Sequence, residues 1–76
     1  MAKLLKTLAK EYEFENEQQY FEYIVQSLIN GQRSQVRELF NQMKKEDKEE
    51  FLNNFLEVGN SYHEEVKSIC IEELLT

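Results

Sequence analysis

Apolar residues recur along this chain at spacings of three and four, the period of one helix face. They almost never alternate at the spacing of two that a half-buried strand requires. Leu4, Leu5 and Leu8 share one side, and Tyr12 continues their row. Glu13-Phe14-Glu15 interrupts the pattern, and Asn16 then stands as a helix N-cap with Gln19 at the capping-box position. Phe21, Ile24, Val25 and Leu28 repeat at i, i+3, i+4 and i+7, with Tyr20 and Ile29 flanking them and Tyr23 on the opposite face. Val36, Leu39, Phe40 and Met43 make a third, narrower stripe. Ser34 is its expected cap, and Lys44 and Lys45 close it favourably for the helix dipole.

With no proline and two glycines in the chain, Gly31 and Gly59 are nearly the only punctuation. Gly31, after Asn30, is the natural left-handed residue past a helix end, so helices two and three should form an αα-hairpin. Asp47 is the next expected cap, with Glu50 at its capping-box position. Beyond it, at about 100° per residue, Phe51, Phe55 and Val58 fall on the same face as Tyr62, Val66 and Ile69. The phase is kept through Gly59. It predicts one long last helix over residues 48–75, continuous or bent at Gly59, although Asn60-Ser61 could cap a separate helix.

The pattern therefore predicts an all-α fold: a small four-helix bundle over 1–76, with an αα-hairpin and a long C-terminal helix. Its expected core is Leu5, Leu8, Phe21, Ile24, Val25, Leu28, Val36, Leu39, Phe40, Phe51, Phe55, Tyr62, Val66 and Ile69.

Charge sharpens this picture. Fifteen acids against nine bases give −6, which disfavours general binding to nucleic acid or to an anionic membrane surface. The signs come in blocks: residues 1–10 and 32–45 are basic, residues 11–31 and 46–76 acidic. Such blocks let neighbouring helices attract one another, or leave one acidic face for docking. A single cysteine, Cys70, and a single histidine, His63, exclude an intramolecular disulfide and a Cys/His zinc site. Self-association into a homo-oligomer is the remaining remedy for so small a core. The lone cysteine and the lack of a secretory signal point to a cytoplasmic setting, and the short apolar runs to no membrane span.

Catalytic equipment is missing from the pattern. His63 and Cys70 lie seven residues apart, about 10 Å along one helix, too far for direct activation of a nucleophile. Glu49-Glu50, Glu64-Glu65 and Glu72-Glu73 are adjacent pairs and diverge around the helix. No cofactor or metal motif is present, and the expectation is a non-catalytic protein that binds and modulates a macromolecular partner, a protein by preference. Two alternatives remain. Glu46, Asp47, Glu50, Glu57, Glu64, Glu65, Glu72 and Glu73 could imitate a phosphate row toward a nucleic-acid-binding enzyme. A helix-turn-helix regulator would turn at Gly31, place Ser27 at the small-residue position and use Arg33 and Arg37, although Arg37 itself falls at an apolar position of that motif. The candidate partner-binding residues are accordingly Glu57, Glu64, Glu65, Arg33 and Arg37.

The run YIVQSLINGQRSQVRELFNQMKKEDKEEFL resembles small helical accessory proteins of bacteriophages and bacterial mobile elements. An aromatic-rich helix, an Asn-Gly turn, an Arg-containing helix ending in Leu-Phe and a Lys-Glu-Asp-Lys-Glu-Glu-Phe-Leu restart follow in that order. The resemblance covers residues 19–56. It implies binding to a host enzyme or defence system in a bacterial host cytoplasm, and assigns no residue a role.

Overall fold

The computed structural model describes residues 2–75. The chain is all-α, with helices α1 (Leu5–Glu11), α2 (Glu17–Ile29), α3 (Arg33–Gln42), α4 (Lys45–Glu50) and α5 (Ser61–Leu75). α4 runs without a break into a π-helical turn, Phe51–Phe55. Extended pairing among the described residues is limited to one isolated bridge between Lys3 and Met43, where the Lys3 N–H donates to Gln42 O at 2.8 Å.

Local chemistry explains the first two helix boundaries. Asn16 caps α2 by accepting from the Gln19 N–H at 3.0 Å, while the Gln19 side chain reaches back to the Glu15 N–H at 2.8 Å. That is the expected reciprocal cap, displaced outward by one residue. At the other end Gly31 adopts φ +79°. The Gly31 N–H donates to Leu28 O and the Gln32 N–H to Ser27 O, the two bonds of a Schellman motif. The end of α1 is built in the same way without a glycine. Glu13 takes φ +61°, its N–H donates to Lys10 O, and the Phe14 N–H donates to Ala9 O.

Three boundaries differ from expectation. α3 starts at Arg33 from Gln32 and has no side-chain cap, so Ser34 lies inside the helix. It stops at Gln42 because Met43 turns to ψ 154° and inserts into the core with no exposed surface. Lys44 and Lys45 consequently open α4 and do not close α3. Asp47 does not cap its own helix either: its Oδ2 accepts from the Leu5 N–H at 3.1 Å, which satisfies an orphan donor at the start of α1 from 42 residues away.

The long final helix is replaced by two helical segments with a turn between them. Gly59 has φ +91°, which no α-helix accommodates. Asn60 then starts α5, its Oδ1 accepting from the Tyr62 and His63 N–H groups at 3.0 and 3.1 Å. The described residues thus form five α-helices where four were expected. Val58, expected on the inner stripe, is 96% exposed, and Tyr62 is half exposed. The apolar phase survived Gly59 because the π-helical turn and α5 each present a face to the same core.

That core lies between α2 and α3, with α1 against α2 and α5 across both. It contains the expected residues except Tyr62 and Phe55, the latter only half buried, and it adds Ala9, Tyr20, Met43 and Cys70. Tyr20 is fully buried because its hydroxyl donates to Leu39 O at 2.7 Å, one of the last carbonyls of α3 that lack helical partners. Tyr23 is not on a solvent face: its ring lies against Tyr12 and Phe14, and it packs on the core. Ser27 is buried at the α2–α3 crossing. It donates to Tyr23 O at 2.8 Å and accepts from Gln35 Nε2 at 2.9 Å. The radius of gyration, 11.3 Å, matches the about 11.4 Å expected of a single compact chain of this length.

Candidate functional site

A π-helical turn is uncommon, and such turns often adjoin functional sites. Here it ends when the Leu56 N–H donates to Phe51 O. Phe51 and Phe55 stay stacked at 5.7 Å within it, and Phe21 packs on both rings. Leu52 and Leu56 are drawn against the core from the same segment. Residues 57–60 then leave the core and form a loop over the side of α5.

Three contacts hold that loop. The Glu57 N–H donates to His63 Nδ1 at 2.9 Å, the His63 ring stacks on Phe55 at 5.9 Å, and the Gly59 N–H donates to Glu64 Oε2 at 3.2 Å. His63 is therefore a structural strut, in a position against the Glu57 amide that a continuous helix over residues 48–75 would not give it. The loop and α5 enclose a groove of about 400 Å³, open along one side. Leu56, Val58 and Ile71 supply its apolar surface, and Glu57, Glu64 and Lys67 its charged edges. On its far side Glu57 and His63 also border a more polar groove against α2, with Glu22, Gln26 and Asn54.

The five residues expected to bind a partner separate into two groups. Glu57 and Glu64 converge on the groove. Glu65 faces α3, where Arg33 Nη1 contacts its Oε1 at 2.7 Å. Arg37 Nε lies 3.7 Å from Glu73 Oε2, whose other oxygen accepts from Asn41 Nδ2 at 2.6 Å. These pairs are partly exposed and contribute about 0.2–1 kcal/mol each, enough to bias how α5 sits on α3. Gln35, a further base-reading type at the start of α3, is turned inward to Tyr23 and Ser27.

The acids expected to form a row along the last helix are distributed over α4, the loop and α5. Asp47 is turned to α1, Glu50 accepts from Asn54, and Glu65 and Glu73 face α3. No three His, Cys, Asp or Glu side chains among the described residues converge in a metal-binding arrangement. Cys70 has no exposed surface; burial, reinforced by Glu73 and opposed by Lys48, pushes its thiol up to about 12. It is protonated at neutral pH and therefore a poor nucleophile. Burial likewise raises the Tyr20 phenol above its ordinary range, helped by Tyr12 and Glu11.

No helix among the described residues is long and apolar enough to cross a membrane. Compared with family models, with curated proteins and with solved structures, the chain matches none.

Proposed function

We propose that this chain is a non-catalytic interaction protein that binds and modulates a protein partner through the groove between residues 56–58 and α5. The observation that carries this reading is the pairing of Val58, 96% exposed at the tip of a braced loop, with Ile71 across the groove. An apolar side chain held in water by a defined loop gains free energy only when something covers it. α5 has a second apolar side as well: Val66, Ile69 and Cys70 face the core, whereas Ile71, Leu74 and Leu75 do not. Shape supports a macromolecule over a small metabolite, because small-molecule sites enclose most of their ligand and this groove is open. In a phage or mobile-element setting, the partner would be a host enzyme or defence protein.

An affinity pull-down from the native host tests the reading, with wild type compared against Val58→Ser/Ile71→Ser. A partner retained by wild type and lost from the variant is expected. Identical captures from both proteins would refute the groove as the docking face. Capture that instead collapses with salt and with charge reversal at Glu64 and Glu65 would favour the nucleic-acid mimic.

A further inference from the structure

We propose that the occupant of this groove is a basic amphipathic helix of another protein, with apolar anchors in its middle and Lys or Arg toward the end that meets Glu57 and Glu64. The inference rests on the groove being the docking face. Along α5 the groove side runs from Glu64 through Ile71 to Leu75, which is i+4 from Ile71. At 1.5 Å per residue this is about 16 Å, or three helical turns, and a helix laid alongside would meet Val58 and Ile71 through residues spaced three or four apart.

Charge determines the occupant's sign. Glu57 and Glu64 stand at one end of the groove. Lys67 lies further along α5, so cations suit the end of the partner that meets the two carboxylates and not its centre. A second copy of this chain fits less well. It carries the same −6 charge, so pairing would bring like charges together.

The test uses two labelled synthetic peptides with leucines at i, i+3, i+4 and i+7, one flanked by lysines and the other by glutamates. Binding is read by fluorescence anisotropy against wild type, Val58→Ser, Ile71→Ser and Glu57→Gln, with circular dichroism verifying that each variant folds. The lysine peptide should bind wild type, weaken about tenfold with Ile71→Ser or Val58→Ser and about threefold with Glu57→Gln, and exceed the glutamate peptide at low salt. Equal binding of the two peptides, or lysine-peptide binding indifferent to Val58 and Ile71, would overturn the proposal. So would a doubling of mass in sedimentation that Ile71→Ser abolishes, since a second copy would then be the occupant. If neither peptide binds but pull-down still depends on Val58 and Ile71, only the basic helix is refuted. If that dependence is absent as well, the docking face is refuted with it.

Discussion

Replacing Glu13 by glycine should make this protein more stable. Glu13 holds φ +61° at the end of α1, where the carbonyls of Ala9 and Lys10 accept from the Phe14 and Glu13 N–H groups. A side chain at positive φ costs roughly 1–2 kcal/mol through the clash of Cβ with the backbone, and glycine escapes it. Glycine also gives the unfolded chain more freedom, which offsets about 0.4–1 kcal/mol. The net gain should be about 0.5–1 kcal/mol, or about 2–8 °C in Tm for a domain of this size. Removing a negative charge near the C-terminus of α1 adds a few tenths more, so Glu13→Gln serves as the charge control. Urea unfolding of wild type, Glu13→Gln and Glu13→Gly separates the two contributions. A Glu13→Gly protein no more stable than Glu13→Gln would refute the left-handed turn at this position.

Gly59→Ala should do the reverse. No atom lies within 4 Å of an added Cβ, so its cost is the positive φ alone, about 1 kcal/mol, and a rise in Tm would restore the continuous helix. Asp47→Ala should cost about 1 kcal/mol and speed hydrogen exchange at the Leu5 amide; unaltered exchange there would show that Asp47 does not cap α1. Because Cys70 is raised to about 12 in the folded protein but titrates near 8.5 when unfolded, its stabilising effect is complete below about pH 8.5 and declines as pH rises toward 12. Wild type should therefore lose up to roughly 1.4 kcal/mol per pH unit more than Cys70→Ala between about pH 9 and 11, measured by urea unfolding at each pH, and parallel declines would refute the buried thiol.

The elements legible in the sequence are those whose chemistry is local. Asn16 and Gln19 form their cap within four residues, and Asn30-Gly31 closes α2 through bonds that span five. The stripes of α2 and α3 were equally readable, because a buried helix face must repeat at the helical period whatever covers it. Of the residues that line the groove, charge alone singled out Glu57 and Glu64. Glu65, Arg33 and Arg37 carried the same local signature. Only the packing of α5 on α3 turned them toward one another.

By itself the sequence determined that the chain is helical, where its hairpin turns and which stripes face inward, since backbone hydrogen bonds and apolar periodicity act over a few residues. Tertiary structure decided the rest. Asp47 had two amides to choose between and took the distant one at Leu5, a choice that exists only once α1 lies beside α4. Gly59 could have continued a helix. The loop that replaced it is held by the Asn60 cap and by contacts from His63 and Glu64. Because that loop leaves the helix, Val58 points into solvent instead of into the core, and the groove beside α5 exists.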